Sequence, residues 1–232
     1  MPTDATIALP HHKTPRLFWW IVCIFIGLAL VPTAWTPFDL QAAALFLGPH
    51  GHTEVAQWWW VKLINLYVPA VFRFFLFVAL LAWFWASRRA WGLRWRLPLA
   101  LMVLAGVLGP GLVVNSVFKD NWLRARPYQV QAFGGTQQFT RAAVITDQCD
   151  SNCSFVSGHV ACGIFFASLL LVDRRRRVFW GVAGVAAGLT IGFARMADGA
   201  HWLSDVLWAF PITLLTSWLV WKALLRVYPR MT

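Results

Sequence analysis

The chain has few charged residues. They make up 12% of its 232 residues, whereas soluble domains carry about 25%. Only 9 are acidic, against 20 Lys and Arg, and 59% of the chain is hydrophobic. This balance excludes an ordinary soluble enzyme and indicates an integral membrane protein. A net charge of +11 would favour nucleic-acid binding in a soluble protein. Here most of the excess lies in short clusters between apolar runs, so no nucleic-acid partner is predicted.

Cysteine is scarce too. Four cysteines are too few for a disulfide scaffold, and they lack the paired short spacings of a zinc site. No cluster of carboxylates is available for magnesium, so neither a metal nor another cofactor is predicted. Tryptophan is abundant by contrast, and its sixteen copies suit the interfaces between membrane and water.

Six apolar runs predict transmembrane helices. They cover about residues 17–35, 63–86, 97–118, 158–172, 178–194 and 202–225. The fourth run is short, so its N-terminal end is expected below the membrane surface. The predicted fold is all-α, a six-transmembrane-helix bundle with a long loop, about residues 119–157, between spans three and four. A polar tail, 1–16, precedes a single membrane domain, 17–232.

Basic clusters predict the orientation of this bundle. On the six-span interpretation one side carries Lys13, Arg16, Arg88, Arg89, Arg94, Arg96, Arg174, Arg175, Arg176, Arg177, Lys222, Arg226 and Arg230. The positive-inside rule makes that side cytoplasmic. The sequence therefore predicts a multi-pass protein of the inner membrane with both termini in the cytoplasm. Three loops, beginning near Thr36, Lys119 and Arg195, face the periplasm or the outside, where the chemistry is expected.

The last of these loops contains a guanidinium, an imidazole and a carboxylate within eleven residues. His201 and Asp205 are four residues apart, so they share one face of a helix. Asp205 can accept a hydrogen bond from one ring nitrogen and leave the other free as a base or nucleophile. Arg195 has a fork geometry suited to a tetrahedral oxyanion. Taken alone, a His–Asp helix pair beside a basic loop residue explains this stretch equally well.

A second cluster pairs two cations at the end of the third span. Lys119 and Arg126 are seven residues apart, close to two helical turns, so one helix would project both from the same face, with Pro127 ending it. Two such cations suit a phosphate. In isolation, a basic patch that binds lipid headgroups is the better explanation.

A third cluster lies at the entrance to the fourth span. Ser157 and the backbone N–H groups around Gly158 could donate to an anion at the helix N-terminus. His159 would then stand in the first turn and point into the same pocket. The alternative is an ordinary Ser-Gly helix cap with an interfacial histidine.

Together the clusters supply what phosphoryl transfer to a histidine requires: cations over the equatorial oxygens, an in-line nucleophile and an acid for the leaving group. Only His201 has an obvious orienting acid, so it is the predicted nucleophile.

The clusters resemble, in order and spacing, the three signature motifs of the type 2 phosphatidic acid phosphatase superfamily, which also includes vanadium haloperoxidases. The similarity covers roughly residues 60–225 and rests on Lys119-x6-Arg126-Pro127, Ser157-Gly158-His159 and Arg195-x5-His201-x3-Asp205. Val156 stands where the second motif usually has proline, and Ala194 where the third usually has serine. We expect the first change to alter loop stiffness and the second to remove one phosphate donor, without abolishing the chemistry.

The resemblance implies a membrane lipid phosphatase. His201 would attack phosphorus to form a phosphohistidine, oriented by Asp205, and His159 would protonate the leaving group. The phosphoryl oxygens would be held by Lys119, Arg126, Ser157, the Gly158 amide and Arg195. The implied substrate is a phosphorylated membrane lipid of the lipid A, undecaprenyl diphosphate or phosphatidylglycerophosphate type. The run from Cys153 to His159 is similar to that of bacterial lipid A phosphatases.

Two other functions stay open on the sequence: a lipid phosphotransferase with the same chemistry, and a non-enzymatic protein that binds or transports lipid headgroups. Smaller features are open as well. Cys149 and Cys153 form a disulfide in an oxidising compartment or stay free thiols, and Arg73 in the second span faces a cavity or snorkels to an interface. Arg124, Arg141 and Asp198 lie near the motifs and could contact the substrate, but exposed loop positions are the expectation for them. A short interfacial helix is expected for residues 39–47.

Overall fold

The computed structural model describes residues 13–48, 51–89 and 92–227, and this part of the chain is mostly helical. Its α-helices are α1 Arg16–Ala34, α2 Pro37–Ala44, α3 Trp59–Ser87, α4 Leu93–Gly106, α5 Asp120–Trp122, α6 Gly158–Ile164, α7 Arg177–Ala197 and α8 Leu203–Val227. Two short antiparallel strands, β1 Leu47–Gly48 and β2 Gly51–His52, pair with Leu47 opposite His52. Residues 1–12 of the predicted tail and Arg230 lie outside the described residues.

Two of the helices change their winding. α4 runs on as a π-helix over Val107–Lys119, and α6 runs on as a 3₁₀-helix over Phe165–Leu171. The sequence Gly109-Pro110-Gly111 is a poor α-helix former, and the side chain of Asn115 donates to the carbonyl of Pro110 at 2.8 Å. The π-helical stretch ends at Lys119, one of the predicted site residues.

α8 lies at the centre of the bundle and packs against α1, α4, α6 and the π-helical stretch. Phe210 on α8 stacks on Phe25 of α1 with the ring centroids 3.8 Å apart. Glycines on α7 allow close approach to its neighbours: a Cβ on Gly184 would lie 2.3 Å from the Ala167 nitrogen, and one on Gly192 would lie 2.5 Å from Val206. α3, in contrast, is mostly exposed along its length.

The predicted class, an all-α polytopic membrane protein, is confirmed. Within the described residues, five helices are long and apolar enough to cross a membrane: α1, α3, the continuous α4–π-helix stretch, α7 and α8. The predicted fourth span corresponds to the shorter apolar segment Gly158–Leu171, so the count of six spans stays a prediction.

The connectivity brings the predicted site residues to one end of the bundle. α3, α6 and α8 begin there, and α7 and the π-helix end there. The basic residues at the far ends of these helices lie at the opposite end. The site is therefore assembled from helix termini on a single side.

Candidate active site

His201 and Asp205 meet at the start of α8 and are 1% and 0% exposed. Asp205, in the first turn, accepts a hydrogen bond from the Trp202 backbone N–H at 2.9 Å, which satisfies one of the free donors of a helix N-terminus. Nδ1 of His201 lies 3.6 Å from Oδ2 of Asp205. The two residues are adjacent as predicted, but this distance is longer than a hydrogen bond.

Asp205 is held mainly by a buried arginine. Arg124, which is 0% exposed, donates from Nη1 to Oδ1 of Asp205 at 2.6 Å. The hydroxyl of Ser154 donates to the other carboxylate oxygen. The prediction of an exposed loop position for Arg124 is therefore wrong: its side chain supports the carboxylate behind His201.

The same arginine also binds a second carboxylate, from α2. Nη2 of Arg124 donates to Oδ2 of Asp39 at 2.8 Å, and the backbone N–H of Ser204 donates to Oδ1 at 2.8 Å. Asp39 is fully buried, so the short helix α2 is part of the site's support, and its place at the membrane interface stays a prediction. Burial raises the pKa of Asp39, and the positive charge of Arg124 opposes this shift. The only sequence signal for this supporting role was that Asp39 is an acidic residue in a segment with almost no others.

The two cations of the first motif converge on Asn152 of the long loop. Nζ of Lys119 lies 3.0 Å from the Asn152 side-chain oxygen, and Nη2 of Arg126 donates to the Asn152 carbonyl at 2.7 Å. The predicted common helix face is wrong, because α5 ends at Trp122 and Leu123 has a left-handed φ of 47°. The loop, and not a helix, brings these side chains together.

A disulfide closes the short loop that contains Asn152, the residue that contacts both Lys119 and Arg126. Cys149 and Cys153 are bonded in the structure, with Asn152 between them. Of the residues expected in exposed loop positions, Arg141 is exposed. Asp198 is partly exposed and pairs with Arg195 at 3.3 Å.

Asn65 of α3 contacts two site residues that lie far away in the sequence. Its side-chain oxygen accepts from Nη1 of Arg195 at 2.8 Å, and its carbonyl lies 3.1 Å from Nε2 of His159. A carbonyl can only accept, so Nε2 of His159 carries the hydrogen. Pro69, four residues on, has no N–H, so the helical donor for this carbonyl is missing. A proline four residues after a polar residue inside a span is the signal that could have identified Asn65.

Several buried polar atoms of the motifs make no hydrogen bond within the described chain: Oγ of Ser157, Nε of Arg195 and both ring nitrogens of His201. Gly158 lies beside them, and a Cβ there would be 3.3 Å from the Asn115 side-chain oxygen and 3.8 Å from Nζ of Lys119. Buried polar groups are nearly always hydrogen-bonded in folded proteins. These atoms are therefore available to a bound group rich in oxygen.

The electrostatics favour a neutral imidazole at His201. Burial lowers the pKa of His201 well below its ordinary value, and the nearby positive charges of Arg195, Lys119 and Arg126 lower this pKa further. A neutral ring keeps the lone pair that a nucleophile needs. The same three cations suit the oxygens of a phosphoryl group.

A cavity of about 500 Å³ opens beside the site, between α3 and the π-helical stretch. Lys119, Gly158 and His159 of the motifs line it, and so do Arg73 and Phe72 of α3. Among the described residues, no three His, Cys, Asp or Glu side chains are grouped so that they could hold a metal ion. The absence of a metal from the reaction stays a prediction.

Comparison with known proteins identifies the family of this chain and several relatives. Residues 94–228 match the model of the PAP2 superfamily. The chain is 31% identical over 219 residues to a lipid A 4'-phosphatase of Francisella tularensis subsp. novicida, covering 88% of this chain and 96% of that protein. It is 41% identical over 124 residues to a lipid A 4'-phosphatase of Rhizobium leguminosarum, covering 52% of this chain and 51% of that protein. No solved structure matches significantly.

Proposed function

The chain belongs to the PAP2 superfamily and is a membrane lipid phosphatase, and from this premise we propose that it removes phosphate from a lipid of the lipid A type through a phosphohistidine on His201. One observation carries the mechanism: the buried ring of His201 stands near three cations, with Asp205 fixed behind it. Lipid A is the favoured substrate because both relatives described above carry that name.

Nδ1 of His201 faces Asp205, which leaves Nε2 as the attacking atom. As Nε2 of His201 bonds to phosphorus, the bond to the lipid oxygen breaks. That oxygen takes the Nδ1 proton of the imidazolium form of His159, whose Nε2–H stays on the Asn65 carbonyl. Lys119, Arg126 and Arg195, with the hydroxyl of Ser157 and the amide of Gly158, hold the phosphoryl oxygens as charge builds on them.

In the second step water attacks the phosphohistidine. His159 takes a proton from that water, the N–P bond breaks, and inorganic phosphate leaves with His201 restored. Every proton and charge in this cycle is handled by side chains, so no metal ion takes part. We place the site on the periplasmic face of the inner membrane with both termini in the cytoplasm, because the basic residues cluster at the opposite end of the bundle.

The test is to trap the intermediate. Purified protein in detergent is mixed with ³²P-labelled lipid A in the presence of a chelator, quenched, and analysed for acid-labile, base-stable label. We expect label on the wild type and on Arg141→Ala, an exposed loop control. His201→Ala should carry no label and should release phosphate at least ~10³-fold more slowly.

Retained turnover by a folded His201→Ala protein would contradict the assignment, and loss of turnover with chelator would contradict the metal-free cycle. Transfer of the label to an acceptor lipid, with no free phosphate, would identify a phosphotransferase instead.

A further inference from the structure

Arg73 is a charged residue in the middle of a membrane helix. It is the central residue of α3, a 29-residue helix, and its side chain is exposed. It makes no hydrogen bond or ion pair with any residue in the described part of the chain. An isolated charge at this depth is unfavourable by several kcal/mol, so a binding partner is expected for it.

Snorkelling does not resolve this charge. The hydrocarbon core of a bilayer is about 30 Å thick, so the middle of a spanning helix lies about 15 Å from either interface. That distance exceeds the length of an arginine side chain.

The cavity beside the catalytic residues reaches Arg73. Lys119, His159 and Arg73 all line it. Asn65, which contacts His159, precedes Arg73 by eight residues, so the two Cα atoms are separated by about 12 Å along the helix axis. Helical side chains lean toward the N-terminus, which here is the catalytic end. The guanidinium therefore lies deeper than the phosphate-binding cations, on the same cavity.

From this placement we propose that Arg73 binds the acyl carbonyl oxygens of the substrate, at the ester or amide linkages between the phosphorylated headgroup and the tails. The proposal rests on the function proposed above, because a phosphate held at Lys119 places the next segment of the same lipid at the level of Arg73. A guanidinium offers only donors, so its partner must present acceptor oxygens. In this part of an acylated lipid, those acceptors are the carbonyl groups.

A matched pair of lipids tests the subsite. Dipalmitoyl phosphatidate has two ester carbonyls, and its dihexadecyl ether analogue has none while keeping the phosphate and chain length. Each is measured as a competitor of phosphate release from lipid A in detergent micelles. For the wild type we expect the diester to inhibit at about tenfold lower concentration than the diether, as for a hydrogen bond to a charged donor.

Arg73→Met should bring the two inhibition constants together by weakening the diester alone, and Arg73→Lys should keep part of the preference. Arg88→Met removes a charge from the cytoplasm-facing end of the same helix, where that guanidinium stacks over Phe84 at 3.9 Å, and should keep the full preference. The proposal is wrong if Arg73→Met keeps the preference or weakens both lipids equally.

The experiment distinguishes an error in the proposed subsite from an error in the proposed function. If the wild type releases phosphate but shows no preference for the diester, only the subsite is wrong. If it releases none, the proposed function is wrong. Direct binding of the two radiolabelled lipids to His201→Ala protein, and to the same protein with Arg73→Met, then decides the subsite by the same ratio.

Discussion

The two histidines of the site stand in unlike surroundings. His201 is fully buried next to Asp205, which belongs to a closed network with Arg124, Asp39 and Ser204. His159 is partly buried and lines the cavity, and its hydrogen-bond partner within the described residues is the Asn65 carbonyl. Attack on phosphorus requires a fixed ring, whereas the leaving lipid needs room to enter and depart. The fold accordingly surrounds the proposed nucleophile with buried charged groups and leaves the proposed acid beside an open cavity.

Replacement of His159 separates the two roles most strongly. His159→Ala should slow phosphate release from a lipid by about 10²–10⁴-fold, because the departing alkoxide loses its proton donor. An aryl phosphate with an acidic leaving group needs no such proton, so phosphohistidine formation from it should stay close to the wild-type rate. Rapid-quench measurement of labelled protein with both substrates checks this. Equal loss with both would mean that His159 binds the phosphate and does not act as the acid.

The buried network should be the most sensitive part of the fold. Arg124→Met leaves two buried carboxylates without their cation, and the free energy of unfolding should fall by about 3–5 kcal/mol. Denaturation in detergent measures it, with Arg141→Met as an exposed control that should change little. A fall below about 1 kcal/mol for Arg124→Met would show that the network is not a main support of the fold.

A substitution at Pro69, four residues after Asn65, should raise the stability of the protein but lower its activity. Pro69→Ala restores a backbone N–H to α3, which should stabilise the helix by up to ~3 kcal/mol. The new N–H then competes for the Asn65 carbonyl, so His159 loses its acceptor and kcat should fall about tenfold with KM unchanged. Pro32→Ala in α1 is the matched control, with the same gain in helix stability and wild-type kcat. A Pro69→Ala protein with wild-type kcat would remove Asn65 from the mechanism.

These contacts also show which parts of the fold and the site could be predicted from the sequence and which could not. Hydropathy predicted the all-α membrane fold, and the three motifs were predicted to converge because the span count and the basic clusters put their loops on one side of the bundle. Asp39 and Asn65 were missed, since they meet Arg124 and Arg195 across 85 and 130 residues with no local pattern linking them.

The common helix for Lys119 and Arg126 failed for a different reason. Seven-residue spacing describes two turns of helix only if the helix continues, and the left-handed backbone at Leu123 ends it. The convergence of the two cations then depends on a loop whose path has no periodic signal. Local periodicity identified the right residues but not the element that positions them.

The buried state of His201 predicts a pH dependence of stability. Its pKa is lowered in the folded chain by burial first and by Arg195 next, so protonation favours the unfolded chain, whose histidine pKa is about 6.5. The stabilisation is complete above that value and is lost as the pH falls below it. His201→Gln lacks this loss, so the free energy of unfolding of the wild type relative to the variant should fall by roughly 2 kcal/mol between pH 7 and pH 5. A constant difference would show that the ring accepts a proton in place.

The smallest effect on activity is expected from removing the disulfide. This bond positions Asn152, which in turn contacts both Lys119 and Arg126. Cys149→Ser with Cys153→Ser loosens the turn that presents Asn152 to Lys119 and Arg126. Because Arg124 still holds the carboxylate behind His201, KM for lipid A should rise a few-fold while kcat changes little. Cys23→Ser, in α1, is the control and should match the wild type. Dithiothreitol should reproduce the rise in the wild type and in the control but add nothing to the double variant, and a reductant effect on the double variant would place the cause outside this bridge.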